Sequence, residues 1–190
     1  MNLKEFFRNL FKKTEKEIIS AASKKTETVT ISALPNNVEE MLAMPEFDRK
    51  DPYKVAAITV AVLNRFPDSQ DDCYAMLNDL KGPEPLSNYE KQFIRDRFMD
   101  GKDYVARSYF AGATPDNDYT PALPYKVKLI EQSNSRESAG YISLWIPSGG
   151  ADNPRMIKLR QKASTKEWFL YQNEFLLGDI RIPKSRDKWA

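Results

Sequence analysis

Histidine is absent from this chain, and cysteine occurs once, at Cys73. Without histidine there is no Ser-His-Asp triad and no Cys-His dyad, and the commonest zinc ligand is missing. A lone cysteine excludes an internal disulfide and any cysteine-rich metal site. Its neighbours Tyr74, Met76 and Leu77 suggest a helix on which a thiol packs as a small apolar group rather than a nucleophile. No run approaches the roughly 18 apolar residues that cross a bilayer. The start carries no continuous apolar stretch of the kind a secretory signal needs, so cytoplasmic residence is the expectation. Charge of one sign is not in excess either: 29 basic and 27 acidic side chains leave a formal +2. Such a balance creates no global field for nucleic acid or anionic lipid, so either role demands a local patch. No pattern calls for a cofactor or a metal.

What is present suits one domain with a short arm. The chain has 190 residues, 41% of them apolar, enough to bury a core. Residues 1–25 place Leu3, Phe6, Phe7, Leu10, Phe11, Ile18 and Ile19 at helical spacing. The same stretch holds seven basic and three acidic residues. Its ordinary reading is an amphipathic arm that packs on the domain or on a second subunit. The sharper reading lays it on an anionic membrane surface.

Residues 26–32 alternate Val29 and Ile31 with threonine, as a short strand or extended linker does. Helical signals then follow one another over residues 34–101. Asn36 or Asn37 caps a short helix from Val38, and Asp51-Pro52 opens a run, Val55 to Leu63, that is apolar on nearly every side. Ser69 with Asp72 opens a third helix that Gly82 closes, and Ser87 with Glu90 forms a capping box for a fourth. Tyr104 to Phe110 is compatible with strand or helix. After a loop rich in turn formers, residues 111–124, the period becomes two. Asp116 and Asp118 in that loop resemble the start of a calcium loop but lack its glycine and final glutamate, so Asx turns are the ordinary reading.

In the second half, Val127, Leu129, Ile142, Leu144, Ile146, Ile157 and Leu159 define an inward face. The alternate positions hold Tyr141, Trp145, Lys158, Arg160 and Lys162. Aromatic rings beside cations on a sheet are the equipment of single-strand binders. Against this, a sheet face with aromatics is ordinarily covered by helices. A second candidate is the turn from Ser148 to Arg155, whose glycine amides would cradle an anion beside Arg155. As a purely structural loop, it would have Asp152 capping local amides and Arg155 paired with a carboxylate from Asp179-Ile180-Arg181. No two of the carboxylates are singled out by spacing for acid–base work.

The residues Ser148 to Arg160, followed by Trp168 and by Leu176-Leu177-Gly178-Asp179-Ile180-Arg181-Ile182-Pro183, resemble a family of uncharacterised bacterial domains. Gly112 to Pro115 and Asp118 to Pro121 are similar to it too. The resemblance runs from about Val29 to Pro183. It implies one unit in which helical and β parts belong together, and it carries no catalytic residue.

The expectation is therefore an α+β fold: a helical layer, residues 34–101, packed on a C-terminal antiparallel meander, residues 104–183, preceded by the arm. The favoured function is a non-catalytic binding or assembly module with a protein partner or self-association. Its contacts would be the arm (Leu3, Phe6, Phe7, Leu10, Phe11) and the polar cluster Asp152, Arg155, Arg160, Asp179 and Arg181. Nucleic-acid or anion binding through Tyr141, Trp145 and Lys158 stands second, and a histidine-free hydrolase third.

Overall fold

Capping chemistry sets the helices. The computed structural model describes residues 25–189. Of the arm, only Lys25 falls among them, and it already belongs to the first strand. The Asn37 side chain accepts from the Glu40 amide at 2.9 Å and opens α1 (Val38–Ala43). Asp51 accepts from the Tyr53 amide at 2.8 Å and opens α2 (Pro52–Leu63), with Pro52 in the first turn. Ser69 opens α3 (Gln70–Lys81) and Ser87 opens α4 (Asn88–Phe98). The Ser87–Glu90 box is closed in both directions. At the end of α3, Gly82 takes φ +64° and lies so close to the Phe169 ring that any Cβ would collide with it, two independent reasons for glycine.

Five strands form one antiparallel sheet in chain order: β1 (Lys25–Ile31), β2 (Tyr125–Glu131), β3 (Tyr141–Ile146), β4 (Arg155–Gln161) and β5 (Trp168–Gln172). The first strand precedes the helices and pairs with β2 along its whole length, Lys25 opposite Glu131 through Ile31 opposite Tyr125. The sheet is thus not wholly C-terminal. Its first strand is the segment that reads as strand or linker, and all four helices are inserted between β1 and β2.

Tyr104 to Phe110 proves to be neither a strand nor an α-helix. A 3-10 turn, Ala106–Tyr109, delivers Phe110 to a bridge with Val127, and the Ala111 amide donates to the Lys126 carbonyl at 2.9 Å. This segment occupies the β3 side of the first half of β2. As a result β2 and β3 meet only at Ile130 and Trp145.

Burial follows the alternation. Val127, Leu129, Ile142, Leu144, Ile146, Ile157 and Leu159 are all inaccessible to solvent. Across them lies α2, which touches all five strands and α3. Every residue of α2 except Lys54 is buried, which explains an apolar run with no polar face. Its two hydroxyls are both paired: Thr59 donates to the Val55 carbonyl at 2.9 Å and Tyr53 to Glu131, so neither carries an unpaired polar group into the core. At the start of the β5 edge the Trp168 amide donates to the Arg49 carbonyl at 2.7 Å. Among the described residues no helix is long and apolar enough to cross a membrane.

Candidate functional site

The polar cluster expected at the strand ends is built from the turn after β3 and the segment after β5. The Arg181 guanidinium forms an ion pair with Asp152, and the Arg181 amide donates to the Gly150 carbonyl at 2.9 Å. Arg155 does not pair with a carboxylate of the Asp179 segment. It donates to the main-chain carbonyls of Gly178, at 3.4 Å, and Asp179, at 3.0 Å. Asp179 has φ +55°, a conformation that short polar side chains tolerate, and the turn exposes those carbonyls to Arg155. Four of the five residues therefore meet. Arg160 does not: it lies five residues along β4 from Arg155, on the other face and roughly 16 Å away, and pairs with Glu84 at 3.0 Å.

The glycine amides in this cluster are already occupied. That of Gly149 donates to the Ser108 carbonyl at 2.9 Å and that of Gly150 to the Ser148 hydroxyl at 3.1 Å. A Cβ at Gly149 would collide with the Ala113 carbonyl, and one at Gly150 with the Tyr119 hydroxyl. The paired glycines answer to the close passage of residues 113–119 and do not form an anion cradle. Tyr119 is fully buried, stacks on Tyr104 at 5.3 Å between centroids and donates to the Arg181 carbonyl at 2.6 Å. Burial, with Tyr104 beside it, pushes its phenol up to about 12. Further along, Ser185 donates to Asp118 at 2.7 Å, Lys184 pairs with Asp116 at 3.4 Å and Arg186 pairs with Asp103 at 2.6 Å. Residues 178–186 thus form a strap tied across the 100–120 loop. The two aspartates that resemble a calcium loop serve that strap. Among the described residues no group of three or more acidic or cysteine side chains could hold a metal ion.

The alternate face of the sheet has a different character. The helix that touches every strand, α2, lies on the inner side, and on the face expected beneath helices the described residues show contact only at the β5 edge, where Gly82 at the end of α3 meets Phe169. Its central row runs Thr26, Ile130, Trp145, Met156 across four strands. To one side stand Thr28 and Thr30 opposite Lys128 and Lys126, all exposed. To the other stand Tyr141, Ser143, Lys158, Arg160, Phe169 and Tyr171, of which only Arg160 is fully exposed and the rest are half-buried. The Lys158 ammonium lies 5.0 Å from the Tyr141 ring centre and 5.8 Å from that of Tyr171, and the Arg160 guanidinium is 5.7 Å from Tyr141. At the β5 end, Arg160, Phe169 and Tyr171 join Lys81, Glu84 and Lys162 around a cleft of about 320 Å³. Sequence alternation finds Tyr141, Trp145 and Lys158. The same alternation sets Lys126 and Lys128 opposite in parity to Val127 and Leu129, and they, with Ile130, belong to this face although they were not among its named candidates.

The carboxylates of the strands are confined to one face. There are two, Glu27 and Glu131, and both have inner parity. Of the six strand cations, Lys25 and Arg155 share that parity, and the other four, Lys126, Lys128, Lys158 and Arg160, have outer parity. Glu131 accepts from Tyr53 of α2 and from Arg136 at 2.6 Å. Burial pushes its carboxyl up, but Arg136 and Tyr53 outweigh this and hold it below the usual range. The same balance holds Glu90 down through Lys81 and Ser87, and Asp103 through Arg186 and Arg107. All three are kept ionised, whereas a general acid at neutral pH requires a raised carboxyl.

These features define a class: an α+β domain with four helices and a five-stranded antiparallel sheet, one face of which is packed by α2. The chain belongs to the family described as Domain of unknown function (DUF6935), whose model matches residues 33–184. No curated protein and no solved structure matches the chain. The matched span takes in the four helices, β2 to β5 and the strap as far as residue 184, while β1 and the arm lie before it.

Proposed function

We propose that this protein is a non-catalytic binding module that presents the outer face of its sheet to an anionic partner. The observation that carries the reading is the segregation of charge: a chain with near-balanced totals puts four cations and no strand carboxylate on the face opposite α2. Aligned cations on a single surface raise local potential and speed capture of an anion even when net charge is small. Half-buried Trp145, Tyr141 and Tyr171 give that surface apolar area as well. In this reading the Asp152–Arg181 cluster has a structural task, holding the strap. Cytoplasmic residence suits it, since Cys73 is buried and unpaired in a fold that relies on no disulfide.

Retention on a sulfated polysaccharide resin tests the proposal. The wild-type chain should elute well above the salt that its formal charge of +2 would require. Lys126→Glu with Lys128→Glu should elute at much lower salt. The control Arg95→Glu with Arg97→Glu, both exposed on α4, changes net charge equally and should shift elution little. Equal shifts for the two pairs would mean that net charge alone governs retention and would overturn the reading.

A further inference from the structure

Resting on the anionic-partner reading, we infer that the partner is a single-stranded nucleic acid. It lies diagonally across the outer sheet face, with one base stacked on Trp145 and phosphates on the cations to either side. The strand register carries the inference. Ile130 of β2, Trp145 of β3 and Met156 of β4 stand in one row. Both β2 and β4 are antiparallel to β3, so they run the same way. Lys126 and Lys128 therefore lie before that row, and Lys158 and Arg160 lie beyond it. From Lys126 there are four residue steps to Ile130, and from Met156 four more to Arg160, a length of about 27 Å along the strands. The four outer cations thus form a track across three strands, with the indole at its midpoint. A track of that length takes about five nucleotides, within the range of single-strand sites.

The groups beside the track match a sugar-phosphate backbone. Thr28 and Thr30 of β1 stand opposite Lys128 and Lys126, and all four are exposed. Hydroxyl and ammonium groups are both phosphate donors. Arg160 joins the track by exchanging Glu84, an exposed partner, for a phosphate, a swap that costs little.

The rings of this face divide by use. Tyr141 and Tyr171 meet edge to face at 5.1 Å, and the Lys158 ammonium lies over both, so they hold a cation in place. Over half-buried Trp145 no ring and no cation lies among the described residues. Its indole is left as the stacking platform of the track. A base can stack there only when it is out of a duplex, which selects a single strand over a double helix.

The test is titration of the full chain, carrying Trp189→Phe, with an oligothymidylate of about ten nucleotides. Trp168 is only 7% exposed and Trp189 is 96% exposed, so in this background Trp145 is the tryptophan that a ligand reaches. Its fluorescence should be quenched on binding. Affinity should fall with salt at a logarithmic slope of about −3, since each of four phosphate contacts contributes about −0.7. Lys126→Ala with Lys128→Ala should reduce that slope by about half. Trp145→Ala should weaken binding about tenfold or more yet leave retention on the sulfated resin unchanged, because the resin reads charge and offers no base to stack. Should Trp145→Ala fail to fold, the quench and the lysine-pair slope decide the matter on folded chains. Retention of the wild-type chain on the resin without quenching by the oligonucleotide would overturn the nucleic-acid assignment and leave the outer-face reading standing. Tighter binding to polyglutamate or to phosphatidylglycerol vesicles would do the same. Oligonucleotide binding that survives the lysine pair with its slope intact, in a variant whose circular dichroism matches the wild type, would remove the face from the interaction and sink both readings.

Discussion

The same five strands make two surfaces that obey different rules. On the inner side every aliphatic position of β2 to β4 is inaccessible to solvent beneath α2, and both strand carboxylates have that parity. On the outer side the alternate residues are threonines, lysines and half-buried aromatics, and among the described residues only Gly82 meets them, at the β5 edge. A sheet needs one covered face to be stable, and α2 supplies the cover. The second face is released from that demand. What it holds reflects solubility or recognition, and the absence of any strand carboxylate from it is more selective than solubility requires, since mixed charge would serve equally well.

The comparison breaks most sharply in the core. Leu144→Ala, on β3 under α2, should lower unfolding free energy by about 2–5 kcal/mol, because a cavity opens in a packed layer. Ser143→Ala, the next residue and on the outer face, should stay within about 0.5 kcal/mol. Chemical denaturation of both variants measures the contrast, and similar losses would mean that the outer face is covered after all. Gly149→Ala comes next. Its Cβ meets the Ala113 carbonyl, so about 1–3 kcal/mol of destabilisation is expected from forced separation of the 113–119 loop.

Tyr119→Phe should cost about 1 kcal/mol by removing the hydroxyl that satisfies the Arg181 carbonyl. The expected sign of that loss is a check on the strap, because a tail that merely lay against the surface would not register it. Limited proteolysis of residues 178–189 in this variant should be faster than in the wild type.

How far these features were legible before the structure depends on the range over which they act. The caps at Asn37, Asp51, Ser69 and Ser87 are local, each a side chain bonding an amide within three residues, so sequence reads them. The parity of β3 and β4 is local in the same way. The partner of β1 is not: Val29 meets Val127 across all four helices, and a seven-residue run of alternating threonines has no local signal that chooses its neighbour. Arg155 was expected to pair with the carboxylate of the Asp179-Ile180-Arg181 segment. Instead the positive φ of Asp179 turns two carbonyls toward it, and backbone torsion is not visible in residue type. The glycine pair admits an anion loop beside the structural loop that was favoured, and only the buried Tyr119 and Ala113, which fill the space where side chains would stand, give the physical reason for the structural one. The covering of the aromatic face was argued from the habit of helices to shield sheets. The habit holds, but α2 satisfies it on one side.

Acid sharpens the comparison by a smaller margin. Glu131 and Glu90 are held below the ordinary glutamate value of 4.5, and Asp103 below 3.8 for aspartate. A carboxyl depressed in the folded state adds stability that is full above its unfolded value and is lost as pH falls through the folded one. Denaturation midpoints should therefore decline below about pH 4.5, and Glu131→Gln should flatten that decline. Lys126→Ala with Lys128→Ala should leave its shape unchanged, because the outer face carries no strand carboxylate to titrate.

The smallest effect is the one that most directly separates stability from binding. Glu84 reaches across the β5 end of the outer face to Arg160, and both side chains are largely exposed, at 68% and 51%. An exposed pair of this kind contributes at most a few tenths of a kcal/mol, so Glu84→Gln should move the denaturation midpoint within error. Its effect on the resin should have the opposite sign to that of the lysine reversals. Removing the carboxylate frees Arg160 and makes the face more positive, and elution should move to slightly higher salt. Earlier elution of Glu84→Gln would mean that Arg160 works only when Glu84 holds it in place, and that fixed geometry, rather than summed positive charge, is what the outer face offers its partner.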